Sequence, residues 1–433
     1  MPDSRPQPPH FPPSPSSPAD SATLLLCGAG LTDGRTVDVR LGGGRIEAVG
    51  TPGSLATGAV GARVDLRGYL LLPAPAEPHA HCDTALSADG ADGADARSGG
   101  RGSGGSGGAA PLSHHPDEIQ RRATEAALLQ LAHGATALRS HVRIGDVPGL
   151  DALAAVLRAR RSLRGLAELT AVAMPRLLTG AAGAYGLAML RDAVKMGATV
   201  VGGCPDADPD PTGHVEAVLE IASEFGCPVD LHTDARDPVR LSRLAAMADG
   251  LRPGVTLGPC GGLGRLPART AARVADRLAA AGVTVVCLPQ GGCGGAGRRG
   301  TAPVRLLRSA GVRVAAGSGA LRDPANPVGR GDPLEAAYLL ASRYGLSAGD
   351  AYDMVSASAR AALGLPEVRV EAGFPAELLA VRADGLAGAL SLAYSRVVIH
   401  RGRLVARTSA VREYCDSAAV ALELPRQGRA DPS

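Results

Sequence analysis

The middle of the chain alternates short apolar segments with helical ones, and this alternation constrains the fold more than any other feature. Eight segments have the length and apolar content of buried strands: Leu70–Pro73, Thr136–His141, Leu169–Met174, Thr199–Gly203, Val229–His232, Val255–Gly258, Val283–Leu288 and Val312–Ala316. Segments rich in Ala, Leu, Arg and Glu lie between them, such as Pro116–Ala132 and Pro267–Ala281. Such alternation is typical of a parallel sheet. Eight strands predict an α/β fold with a closed (β/α)8 TIM barrel, and a doubly wound open sheet is the alternative.

Both ends of the chain have a different pattern, in which short strands are separated by turns rich in Gly and Asp. The strands predicted there are Thr23–Cys27, Thr36–Leu41 and Arg45–Val49 at one end, and Ala376–Val381, Arg396–His400 and Arg403–Ala406 at the other. We expect residues 22–66 and 371–415 to pair into a composite β-sandwich satellite domain, with a barrel of residues 67–370 inserted in it.

Three segments lie outside the predicted barrel and satellite strands. Residues 1–21 are rich in Pro and Ser, residues 89–113 form a Gly/Ser-rich insertion after the first predicted barrel strand, and residues 416–433 form a second tail. We expect the first two to be disordered, because they cannot bury enough surface to offset the entropy of folding.

Charge and cysteine usage restrict the partners and the compartment. The net charge of +3 is small for 433 residues and implies neither a nucleic-acid nor a membrane partner. No segment approaches the ~20 apolar residues of a membrane span. The 8 cysteines include no CxxC pair, which favours a reducing compartment. We therefore expect a cytoplasmic protein.

The sharpest motif is Glu77-Pro78-His79-Ala80-His81, directly after the first predicted barrel strand. Residues i and i+2 of an extended strand point the same way, so His79 and His81 would direct two imidazoles at one point. Divalent metals bind nitrogen ligands placed in this way. The alternative is a pair of packing or surface histidines.

Two further histidines stand at predicted strand ends. His232 ends Val229–His232 and is a candidate third metal ligand, the alternative being a lone polar residue at a strand end. His141 ends its own strand in the same manner.

The chain resembles the bacterial type of cytosine deaminase and its relatives in the amidohydrolase superfamily, from about Leu24 to Ala406. The segments that carry the resemblance are Glu77–Asp83, Arg139–Val142, Val172–Pro175, Asp230–Asp234, Val255–Thr256, Gly297–Arg298 and Arg322–Gly329. The resemblance implies a barrel with a composite β-sandwich, a single divalent Zn²⁺ or Fe²⁺, and hydrolysis of a C–N bond in a cyclic amidine or nucleobase-like small molecule. It implies that His79, His81 and His232 are metal ligands. A homo-oligomer is left open.

The chain departs from the family pattern at the residues that move protons. Ala235 stands where the family has a glutamate, Pro259 where it has a histidine, and Gly319 where it has an aspartate. We expect Asp234, one residue before Ala235, to point away from the site. None of the three replacements can carry a proton, and loss of a proton shuttle alone costs about 10²–10⁴ in rate.

Other residues offer a replacement ligand or a binding surface. Cys260 adjoins Pro259 and could complete a closed metal site with the three histidines, although a buried, inert cysteine is the simpler interpretation. Arg176 replaces the family's substrate-binding glutamine. With Arg298 and Arg299 it could bind an anion or other ligand at the barrel mouth, beside a Gly-rich run over residues 292–297.

Two hypotheses follow for function. The first is an amidohydrolase whose C–N bond hydrolysis is weakened or lost. The second is a non-catalytic relative, a pseudoenzyme that binds a ligand or a partner chain.

Overall fold

A computed structural model describes residues 23–56, 61–88, 115–145, 149–181, 183–251, 253–291, 300–392 and 394–410. The expectations for residues 1–21, 89–113 and 416–433 fall outside these ranges, as do those for Arg298 and Arg299. No helix in the described ranges is long and apolar enough to cross a membrane.

One mixed sheet joins the two ends of the chain. The strands from the start of the chain are β1 Leu24–Gly30, β2 Thr36–Gly42, β3 Arg45–Gly50, β4 Ala62–Asp65 and β5 Tyr69–Pro73. Those from its far end, numbered after the ten strands that lie between, are β16 Leu378–Arg382, β17 Arg396–His400 and β18 Arg403–Thr408. The strand order is β18-β17-β16-β5-β1-β2-β3, and β4 also pairs with β1. Strands from the two ends therefore complete a single satellite sheet, which confirms an additional sheet domain beside the barrel.

The first predicted barrel strand belongs to this satellite sheet, so that assignment was wrong. In β5, Leu70 pairs antiparallel with Val381 and Leu72 with Leu379. Leu70 and Leu72 pack into the barrel's core cluster, whereas Leu71 packs into the satellite's. The unbroken apolar run reflects burial on both faces, which periodicity alone does not distinguish from a barrel strand.

Eight consecutive parallel strands form the second sheet. They are β6 Ala76–Ala80, β7 Ala137–Ile144, β8 Glu168–Pro175, β9 Val200–Gly203, β10 Val229–Thr233, β11 Val255–Pro259, β12 Thr284–Cys287 and β13 Arg313–Ala316. They are hydrogen-bonded in chain order, and a parallel bridge between Ala80 and Gly319 joins the first strand to the segment after the last. This closure confirms the TIM-barrel prediction and excludes the doubly wound alternative, in which the strand order would reverse. A two-stranded hairpin, β14 Leu321–Asp323 and β15 Asn326–Arg330, follows.

The helices of the described ranges surround the barrel and complete the fold. They are α1 Pro116–Ala132, α2 Asp151–Ser162, α3 Gly183–Met196, α4 Pro211–Phe225, α5 Pro238–Ala248, α6 Ala268–Ala280, α7 Val304–Ser309, α8 Pro333–Tyr344, α9 Ala348–Val355, α10 Ala357–Ala362 and α11 Leu386–Leu392. Three of them begin at an Asp-Pro pair. Asp210, Asp237 and Asp332 accept backbone N–H groups of the first turn, and the proline that follows needs no partner there.

A buried ion pair connects the satellite sheet to the barrel. The Arg396 guanidinium, on β17, donates to both carboxylate oxygens of Asp332 at 2.9 and 2.7 Å and to the carbonyl of His133 at 2.6 Å. Asp332 also caps α8. Arg396 therefore joins a satellite strand, the start of α8 and the residue after α1.

Candidate active site

The first barrel strand directs its polar side chains inward. His79 lies in β6 and His81 immediately after it, and their ring centroids are 5.2 Å apart. His79 is fully buried and His81 nearly so. The alternation predicted from the sequence is present, although the strand that carries it starts at Ala76.

Glu77 fixes this strand to the segment that closes the barrel. One of its carboxylate oxygens accepts the backbone N–H of His79 at 2.9 Å. The other accepts the backbone N–H of Ser318 at 2.8 Å and also the Ser318 hydroxyl. Burial raises the pKa of Glu77 to about 7, although these donors oppose the rise. Glu77 thus holds His79 in place.

His232 completes a group of three histidines. It lies on β10, and one ligand nitrogen from each of His79, His81 and His232 lies within 4.8 Å of the others. Burial and the neighbouring charges lower the pKa of all three, that of His232 to about 4. They are therefore neutral near pH 7, the form in which imidazole binds metal.

A metal ion fits this group. Within the described part of the chain, neither ring nitrogen of His79 has a hydrogen-bond partner, although the ring is fully buried. Buried polar atoms without a partner are rare, and a bound cation would satisfy them. The donor set of three imidazoles also matches zinc and iron.

Behind the three histidines lies a buried polar layer that the sequence analysis found only in part. Arg139 donates to Asp230 Oδ2 at 2.9 Å, and His141 Nε2 lies 3.2 Å from Asp230 Oδ1. The rings of His141 and His79 have centroids 4.0 Å apart. No sequence motif assigned a role to Arg139 or Asp230. The signal was their spacing, since Arg139 with His141 and Asp230 with His232 are i, i+2 pairs on otherwise apolar strands.

A cavity of about 400 Å³ opens beside the histidines. His81 and His232 line it, together with residues at the carboxyl ends of other barrel strands, such as Ile144, Pro175 and Pro259. This is the face on which TIM-barrel enzymes carry their active sites.

Both signs of charge line the cavity. Arg176 is there, with its side chain exposed, as is Arg143. Three carboxylates line the same cavity: Asp206, Asp234 and Asp323. The position of Arg176 at the mouth agrees with the sequence-based expectation, whereas no sequence motif assigned a role to Arg143, Asp206 or Asp323.

Asp323 combines burial with a place on the cavity wall. One carboxylate oxygen accepts the backbone N–H groups of Ala325 and Asn326, both at 2.9 Å, and the other accepts the Thr84 hydroxyl at 3.3 Å. Burial raises the pKa of Asp323, although these donors oppose the rise. Its carboxyl group is therefore more easily protonated than an ordinary aspartate.

The expected orientation of Asp234 was wrong. Asp234 lines the cavity with His232, whereas Ala235 is buried and lines a separate cavity of about 40 Å³ against α5. The i, i+2 alternation continues from His232 into the loop, so the side chain beside the histidine is an aspartate.

The other replaced positions differ in their surroundings. Pro259 lines the cavity. Gly319 has φ +71°, and a Cβ there would lie 3.1 Å from the Leu288 side chain, so glycine fits both the conformation and the space. Cys260 is buried and burial raises the pKa of its thiol. Among the described residues, the groups placed to hold a metal contain no cysteine, so the structure does not bring Cys260 to the three histidines.

Comparison with known proteins identifies the family. A model of the amidohydrolase family matches residues 112–406. The chain belongs to the amidohydrolase family. The match begins after His79 and His81, so the geometry described above places these two histidines in the site independently.

Several relatives of this amidohydrolase extend over nearly the whole chain. A pterin deaminase of Rhizobium rhizogenes is 28% identical over 382 residues, which cover 80% of this chain and 83% of that protein. The crystal structure of N-isopropylammelide isopropylaminohydrolase from Burkholderia multivorans superposes with a TM-score of 0.75 at 26% identity, covering 90% of this chain and 100% of that one. The 5-methylcytosine deaminase from Klebsiella pneumoniae superposes with a TM-score of 0.74 at 23% identity, covering 91% and 100%. These findings confirm the resemblance to deaminases of the amidohydrolase superfamily.

Proposed function

We propose that this amidohydrolase hydrolyses a C–N bond in a cyclic amidine or nucleobase-like ring, with one zinc or iron ion held by His79, His81 and His232. The observation that supports this most directly is the group of three neutral histidines, two of which face a cavity at the carboxyl ends of the barrel strands. The names of the relatives favour the same class of substrate, since they refer to pterin, N-isopropylammelide and 5-methylcytosine.

The bound metal would supply a Lewis acid and a water molecule of lowered pKa. The chain's own residues would bind and orient the ring. Arg176 and Arg143 would donate hydrogen bonds to ring carbonyl oxygens, whereas Asp206 and Asp234 would accept from ring N–H or amino groups. A ring that carries both hydrogen-bond donors and hydrogen-bond acceptors is therefore complementary to the cavity.

Asp323 is the best candidate to move the proton in place of the missing glutamate. It lies on the cavity wall, and its raised pKa places its titration closer to neutral pH than that of an ordinary aspartate. We therefore infer a site in which a different carboxylate has taken the shuttle role, with a lower rate than an unaltered site would give.

The test combines metal analysis with turnover. Protein purified without chelator is analysed for zinc and iron, then incubated with pterins, aminotriazines, N-alkylaminotriazines and aminopyrimidines while ammonia or amine release is followed. We expect close to one ion per chain and release from at least one class. Asp323→Asn should lower kcat by about 10²–10⁴ without changing metal content.

Asp276→Asn, an exposed change on α6, is the matched control and should leave kcat unaltered. No metal uptake, even on reconstitution, would refute the hydrolytic proposal. Equal rates for Asp323→Asn and the parent would refute the shuttle assignment alone.

A non-catalytic ligand-binding protein is the second candidate. The observation that favours it is the absence of a proton carrier at Ala235, Pro259 and Gly319. Binding of the same ring compounds to metal-loaded protein without any release, measured by calorimetry, would support this candidate over the first. Pro259→His is the better variant for restoring a family residue, because Pro259 faces the cavity. A side chain at Gly319 would instead contact Leu288.

A further inference from the structure

A second set of metal-ligand atoms lies deeper in the barrel than the three mouth histidines. One ligand atom from each of His79, His141 and Asp230 lies within 4.8 Å of the others. All three side chains are fully buried. Two imidazoles and one carboxylate are a donor set that iron and zinc accept.

The hydrogen bonding of this set is incomplete within the described part of the chain. Both ring nitrogens of His79, both of His141 and Oδ1 of Asp230 are buried without a directed hydrogen bond. A buried polar group left without a partner is destabilising, because it has lost its hydrogen bonds to water without gaining others. Several such atoms within one cluster indicate a bound ligand that the polypeptide does not supply.

The simplest alternative is that His141 and Asp230 satisfy each other. They approach to 3.2 Å, and a proton on His141 could be shared across that gap. Arg139 already occupies the other oxygen of Asp230. Pairing would still leave the second nitrogen of His141 without a partner, and an ion at the mouth would bind only one of the two His79 nitrogens, so the two together do not account for the cluster.

We propose that His79, His141 and Asp230 form a second, sealed position for a divalent zinc or iron ion. The position shares His79 with the mouth group. A neutral imidazole has only one nitrogen lone pair available for a metal, so the two positions compete for that ring and the chain holds one ion at a time. Neither His141 nor Asp230 lines the cavity. An ion held there would contact no substrate, and metal content alone would not report the catalytically competent fraction.

The prediction is tested by separating the two ligand sets. Zinc and cobalt are equilibrated by dialysis against the wild-type chain, His232→Ala, His79→Ala and the double variant His232→Ala/His141→Ala. His214→Gln is the matched control, because His214 is likewise buried beside an aspartate, with Nδ1 2.9 Å from Asp208. Thermal unfolding checks that each variant is folded.

We expect close to one ion per chain for the wild type, His232→Ala and His214→Gln, with an altered cobalt spectrum in His232→Ala. Affinity should fall by more than about 100-fold in His79→Ala and in the double variant, beyond the loss that an outer-sphere change causes. If His232→Ala loses metal as completely as His79→Ala, the sealed position does not exist.

That result would leave the proposed function intact, because the wild type would still bind metal at the mouth. Absence of metal from the wild type would refute both. Should His232→Ala fail to fold, anomalous diffraction from zinc-loaded His232→Gln crystals decides the question. A peak between His79, His141 and Asp230 supports the proposal, and a peak elsewhere or none overturns it.

Discussion

Replacing Arg139 with methionine tests whether the buried layer behind the histidines has the energetics that its geometry implies. Arg139 and Asp230 are almost completely buried, and the guanidinium donates to Asp230 Oδ2 at 2.9 Å. Burial raises the pKa of Asp230, but His141 and Arg139 more than offset this and hold the pKa below its usual value. Arg139→Met would leave a buried carboxylate without the guanidinium that donates to it.

The expected cost follows from this burial. Removing one partner of a buried ion pair destabilises a protein by about 3–5 kcal/mol. The entropy of unfolding is about 2.1 cal/mol/K per residue, or about 0.8 kcal/mol/K for a folded chain of this size, so the Tm should fall by about 4–6 °C. Differential scanning calorimetry of metal-free protein measures it.

Arg401→Met is the control for a non-specific effect of losing an arginine. Arg401 lies 3.8 Å from Glu168, and its side chain is 64% exposed. Exposed pairs contribute about 0–1 kcal/mol, so its Tm should change by about 1 °C or less. The reasoning is refuted if Arg139→Met also falls within about 1 °C of the wild type, or if the two variants lose equal stability.

Three further predictions concern the satellite contact, pH and the cavity. Arg396→Met should also lower the Tm by about 4–6 °C, because it leaves Asp332 buried without its bidentate partner. A Tm within about 1 °C of the wild-type value would contradict this. The metal-free protein should lose stability as pH falls from about 6.5 toward 4. His232 has a pKa near 6.5 in the unfolded chain but about 4 in the fold, so the unfolded chain takes up the proton first. Urea unfolding at several pH values measures this, and a constant free energy of unfolding across the window would contradict it. Arg176→Gln should raise the KM or Kd of the ring substrate by about tenfold, the loss of one charged hydrogen bond, with unchanged metal content; loss of metal instead would show that Arg176 acts on the fold.

The comparison of sequence with structure is clearest at β5 and at Asp234. The run Leu70–Leu72 was apolar enough for a barrel strand, yet it pairs with β16 in the satellite sheet and has a core on each face. Asp234 was expected to face away from the site and instead lines it. In both cases the local conformation was predicted correctly and the neighbouring residues were not, because long-range contacts decide which residues become neighbours.

The local pattern of residues determined the barrel, the inward pair His79 and His81, and the place of His232 at the mouth. Strand periodicity and the position of a residue relative to a strand end are local properties, and they are written in the sequence. Only the tertiary structure brought Asp230 beside His141, placed Asp323 on the cavity wall and left Cys260 out of the metal-ligand groups. These contacts join segments distant in the chain, and barrel closure decides which side chains meet.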